Sequence, residues 1–211
     1  MKRVVCIALA LMLCLSAAAV AESVPSKTTV DLTKFEVTAE YLPQDANLFL
    51  HPVNEPTVGD ALAEYEEHLA ICQAEIEKLS ASESIETYFG QVKDIDGQIV
   101  SLKELLETEE LNVFEFCPAV AGGYQAAYGK VTATMLFSTP YEKDEKVVLM
   151  IGLVTVNADG TQTVEWYAFE GIGLGAVEGQ EETEGRIRVE LSAEIVEAIQ
   201  NGTALLAMVS K

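Results

Sequence analysis

The stretch "EYEEHLAICQAEIEKL", residues 64–79, sets His68 and Cys72 four apart among five glutamates. Imidazole and thiolate are the ligands that zinc prefers, and carboxylates can complete a tetrahedral site. Past residue 21 the chain holds His51, His68, Cys72 and Cys117, two imidazoles and two thiols. On a helix Glu64, His68 and Cys72 are successive i, i+4 neighbours along one edge. The paired C-x2-C or H-x3-H spacing that marks zinc sites is missing, so a metal site at His68 and Cys72 stands as the alternative reading. A disulfide between Cys72 and Cys117 is the leading one for an exported chain, with two unbridged thiols next. In the chain-entropy picture such a bond contributes about 4 kcal/mol.

Calcium takes oxygen ligands, and "DIDGQ" (94–98) and "NADG" (157–160) place carboxylates beside a glycine. Neither extends into a twelve-residue loop with a terminal glutamate, and Asp-Gly is the expected chemistry of a hairpin turn. For catalysis the sequence holds no G-x-S-x-G elbow, no H-E-x-x-H and no phosphate-cradling glycine loop. Only His51 and His68 are of a residue type that could serve as a neutral-pH base, and neither lies in a local catalytic pattern. No catalytic residue is assigned and no cofactor is expected. A secreted hydrolase with a carboxylate pair is the enzymatic alternative, resting on the abundance of acids alone. For recognition, "AGGYQAAYGK" (121–130) joins Gly122 and Gly123 to Tyr124 and Tyr128, and exposed tyrosines with small neighbours suit a binding surface. Packing of both rings over a sheet edge is the ordinary alternative.

These groups need elements to hold them. Residues 1–21 read as a cleaved secretory signal peptide: Lys2 and Arg3, an apolar run, then small residues up to Ala21. Residues 22–33 form a polar lead-in. Removing the leader leaves 11 basic against 34 acidic residues, a net charge of −23. That charge repels phosphate backbones and anionic lipid, so nucleic acid is excluded as a partner. No membrane span is expected after cleavage, and the chain is expected to be secreted, meeting an extracellular protein or glycan.

Residues 34–86 suggest two short strands (34–42 and 47–52) and a helix capped by Thr57. Leu62, Tyr65, Leu69, Cys72, Ile76 and Leu79 form its apolar stripe, and residues 80–87 read as a linker. From 87 to 211 the pattern gives a hairpin at Asp96-Gly97, a helix capped by Ser101, and then a run of alternating strands. In "NVFEFC" alternation puts Phe114 and Phe116 on one face, with Glu115 and Cys117 on the other. Val164, Trp166 and Ala168 share a core-facing side of their strand. A helix from Ser192 to Asn201 links the last two strands. The expected class is mainly β, α+β overall: an antiparallel β-sandwich with a short interstrand helix, preceded by a helical section.

The segments "YGKVTATMLFSTPYEKDEKVVLMIGLV" and "RIRVELSAEIVEAIQNGTALLAMVS" resemble immunoglobulin-like modules of secreted and surface proteins from anaerobic gut bacteria. The resemblance covers about half the chain and carries no catalytic motif. It implies an immunoglobulin-like fold and a non-catalytic, extracellular binding or adhesion role. The Cys–Trp–Cys spacing of antibody domains is absent.

Overall fold

Period-two alternation from residue 112 onward builds long strands, and Asp-Gly turns fold them back on one another. The computed structural model describes residues 36–52, 61–137, 139–175 and 185–211, with His51 and residues 61–65 described for their backbone only. The expected signal peptide, the expected lead-in and the expected Thr57 cap lie outside the described residues. The strands are β1 (Glu36–Ala39), β2 (Phe49–Pro52), β3 (Val92–Lys93), β4 (Ile99–Val100), β5 (Asn112–Gly122), β6 (Val131–Phe137), β7 (Lys143–Val156), β8 (Gln162–Leu174), β9 (Gly185–Leu191) and β10 (Thr203–Ser210). The helices are α1 (Ala61–Ala81), α2 (Ile85–Phe89), α3 (Leu102–Leu106) and α4 (Ala193–Asn201).

All ten strands join one hydrogen-bonded sheet in the order β1-β6-β9-β8-β7-β10-β5-β2, and the β3–β4 hairpin attaches to β8. The pairing is antiparallel except for one parallel pair, Lys93 with Tyr167. The chain is thus mainly antiparallel β with few helices. β1 and β2 pair in register with β6 and β5, so the sections expected on either side of residue 86 share one sheet. β2 also lies against β6 and β1, which brings the two ends of the strand order near each other. Thr139 N, just past β6, donates to Glu115 Oε1 on β5 at 2.6 Å and ties the same two regions together.

Each face of the sheet has its own core. On one face Leu50, Met135, Phe137, Leu149, Ile187, Leu206 and Met208 pack with Ile195, Val196 and Ile199 of α4. On the other face α1, α2 and α3 cover Met150, Trp166, Ala168, Leu205 and Ala207. Burying one such side chain contributes about 1.5–3 kcal/mol. Trp166 fills the core as expected, with Phe89 and Phe116 meeting its ring edge-to-face at 5.0 and 5.6 Å.

Three local expectations need correction. Phe114 and Phe116 do not share a face. Glu115 is an extra residue with φ 36°, and the register skips it between Ala207–Phe116 and Met208–Phe114. A β-bulge of this kind reverses the alternation, so Phe114 and Cys117 point to the α4 side while Phe116 points to Trp166. Residues 80–87 are not only a linker, because Ser84 Oγ accepts from Thr87 N and caps α2. The buried face of α1 is also rotated. Among residues 66–81, His68, Ile71, Cys72 and Glu75 are the buried positions, with Leu69, Ile76 and Leu79 at its margin. Glu75 goes inward because Tyr88 of α2 donates to it at 2.7 Å and Lys78 pairs with it.

The caps read from sequence hold elsewhere. Ser101 Oγ accepts from Glu104 N at the start of α3, and Ser192 Oγ accepts from Ile195 N at the start of α4. Among the described residues no helix is long and apolar enough to cross a membrane.

Candidate functional site

His68 and Cys72 sit on the inner side of α1, where Cys72 is 1 % exposed. His68 Nε2 lies 3.1 Å from Thr203 Oγ1 at the start of β10, so one ring nitrogen is spent on a structural hydrogen bond. No group of three metal-ligating side chains occurs among the described residues. The side chain of His51 lies outside the described residues.

Cys72 and Cys117 are not brought together, which corrects the expected disulfide. Cys72 belongs to the core under α1 and Cys117 to the core on the α4 side, with the sheet between them. A disulfide requires Cβ atoms about 4 Å apart. The bulge at Glu115 is the physical reason, because it turns Cys117 away from the helix it was expected to meet.

Each Asp-Gly turn spends one carboxylate on its own residues. Asp94 accepts from Asp96 N and Gln98 N, and Asp159 accepts from the backbone and hydroxyl of Thr161. These bonds hold the Asp159 carboxyl below its ordinary range. Each arrangement is that of a closed turn.

The loop at 121–130 also departs from expectation. Tyr124 and Tyr128 are buried, their rings meeting edge-to-face at 6.1 Å. Tyr124 donates from its hydroxyl to Gly129 O, and its backbone exchanges two hydrogen bonds with the Gln200 amide. Gly122 and Gly123 are there for close packing. A Cβ on Gly122 would lie 2.4 Å from the Phe49 ring, and one on Gly123 would lie 2.0 Å from Asn47 O. Gly123 also has φ 72°, which favours glycine. The tyrosines are therefore core residues, and the exposed aromatic surface is not formed.

A different place offers a surface. On the helix-bearing face, beyond the edge of the α3 cover, a groove of about 370 Å³ runs across β7, β8 and β9. Its centre is Ile172, 41 % exposed. Ile172 pairs with Lys146 of β7 on one side and Arg188 of β9 on the other. Adjacent strands lie about 4.8 Å apart, so the two cations bracket one exposed aliphatic side chain. Leu105 of α3 adds apolar lining, and Glu170 and Glu190 add carboxylates.

The groove lies at a fork in the sheet. Among the described residues β8 and β9 pair over Gly171–Gly173, and β3 meets β8 farther along, at Tyr167. The charges in it are unequally engaged. Lys146 pairs with Glu107, which raises the lysine and lowers the carboxylate from their ordinary pKa values. Glu190 pairs with Lys130 at 3.0 Å. Arg188 and Glu170 make no ion pair with a described residue.

Sequence reasoning passed over Lys146, Ile172 and Arg188. The available signal was Ile172 on an outward position between two glycines in "EGIGL". That Lys146 and Arg188 flank it is a matter of register, which pattern alone does not give. Comparison with protein families, with curated proteins and with solved structures returns no match for this chain.

Proposed function

We propose that this is an exported, acidic binding module without catalytic activity, which meets an extracellular protein or glycan through the groove over β7, β8 and β9. The observation that carries this reading is the row Lys146–Ile172–Arg188, an apolar residue between two cations on an otherwise strongly acidic chain. Binding sites commonly combine an apolar floor with a few placed polar groups in a hollow of several hundred Å³. Export is supported by the sequence of residues 1–21, and the immunoglobulin-like fold by residue pattern. The nearness of β2 to β1 and β6 favours a sheet curled toward a barrel, as an alternative to a sandwich.

The hydrolase reading has one observation in its favour, since Glu170 and Glu190 both line the groove. A general acid needs a carboxyl sheltered from water, whereas both side chains are exposed and Glu190 is held by Lys130. The zinc reading has less, given the engagement of His68 with Thr203.

The test is an array of defined extracellular glycans and peptides, probed with the purified chain and with the double variant Lys146→Glu, Arg188→Glu. At least one ligand should be retained by the parent and lost by the variant. An array on which the parent binds nothing, or on which both bind alike, removes the groove as the surface that meets an extracellular protein or glycan.

A further inference from the structure

The row of side chains in the groove has a chemical preference of its own. A guanidinium presents a planar fork of donors that matches a carboxylate, and Arg188 is exposed with no described residue taking up that fork. Directly across the strand pair is Ile172, with Leu105 also lining the groove, so an aliphatic group anchored at Arg188 has apolar surface beside it. On the far side Lys146 shares its charge with Glu107, which leaves Arg188 as the stronger anion partner of the two. The carboxylates of Glu170 and Glu190 flank the site and disfavour ligands with several negative charges.

The lining also restricts the size and charge of the occupant. About 370 Å³ suits a ligand of amino-acid to short-peptide size. A bare inorganic anion would satisfy Arg188 and leave Ile172 in water. A neutral aliphatic compound would cover Ile172 and leave Arg188 unpaired.

We infer that the groove binds a monoanionic aliphatic carboxylate, with the carboxylate on Arg188 and the aliphatic group over Ile172. This chemistry is shared by a free acylated amino acid and by the chain end of a peptide. The inference rests on the groove of the preceding subsection and specifies what it recognises.

The experiment is a two-dimensional amide NMR titration of the purified chain with N-acetyl-L-leucine, with its neutral amide, and with the tripeptide acid acetyl-Gly-Gly-Leu. The acids are expected to give saturable shifts at Gly171, Ile172, Arg188 and Val189, with dissociation constants of order 1 mM for an exposed site. The neutral amide, with no charge for Arg188 to pair with, is expected to bind about fivefold more weakly. Arg188→Gln should weaken acid binding about fivefold, the size of one well-formed exposed ion pair, while its spectrum elsewhere stays that of the parent. Tighter binding of the tripeptide acid would assign the site to chain ends, and equal binding would assign it to free acids.

Shifts that fail to saturate, that titrate with an unchanged dissociation constant in Arg188→Gln, or that the neutral amide reproduces at the same concentrations would overturn the inference. An empty array beside a saturable titration would retain the acid site and remove the macromolecular partner, so the two proposals fail separately.

Discussion

Glu115 shows how much one residue decides. It carries φ 36° without being glycine, a conformation that costs on the order of 1 kcal/mol or more. Its carboxylate accepts the Thr139 amide at 2.6 Å, a bond to a charged acceptor worth about 1.5–3 kcal/mol. Replacing Glu115 by Ala keeps the backbone strain and orphans that amide, so a loss of about 2 kcal/mol is expected in urea unfolding. Glu115→Gln keeps an acceptor and should lose about 1 kcal/mol. If the two variants unfolded at the parent's midpoint, the bond would not be holding β5 to the end of β6. This residue was also the least legible in the sequence. "NVFEFC" alternates without a break, and nothing in its residue types announces a bulge, since glycine is the usual marker. The same limit hid Glu75, because charge predicts exposure until a partner such as Tyr88 is brought beside it by another helix.

At the scale of elements, the sheet separates what the linear pattern would join. α1 sits on one face with Cys72 beneath it, and β5 sends Cys117 to the other. Peptide mapping of the denatured, unreduced chain is therefore expected to find no Cys72–Cys117 bridge. A bridged peptide would mean that the register of β5 is wrong by one residue, because a one-residue slip exchanges the two faces. The elements themselves were largely visible beforehand. Ser101, Ser192 and the Asp-Gly turns mark real boundaries, because caps and tight turns depend on neighbours within four residues. The groove was not visible, since it depends on β7, β8 and β9 aligning residues up to 42 positions apart in the chain, from Lys146 to Arg188. Register across three strands is a tertiary property, and the loop tyrosines were misjudged for the same reason: Gln200 and Phe49 lie far from them in sequence.

For the whole molecule, the folded state is expected to lose stability in alkali. Burial pushes the hydroxyls of Tyr88 and Tyr141 far above the ordinary tyrosine value, with Glu75 and Glu115 respectively adding to the effect. Each stays protonated in the fold while the unfolded chain begins to ionise near pH 10. Their contribution is thus fully present below that pH and is lost as pH rises past it. Urea midpoints at pH 9, 10 and 11, read alongside tyrosinate absorbance, should fall across that range. Unchanged midpoints would mean that neither hydroxyl is buried in solution. The order of strands has a consequence of a different kind. β10 follows every other strand along the chain, yet it lies between β7 and β5, and both cores take side chains from it. The meander of β7 and β8 can form early from local turns, but β5 and β2 have no place to dock until residues 203–210 arrive. Until that strand is in place both cores lie open along one seam, so β10 closes the sheet as a keystone closes an arch.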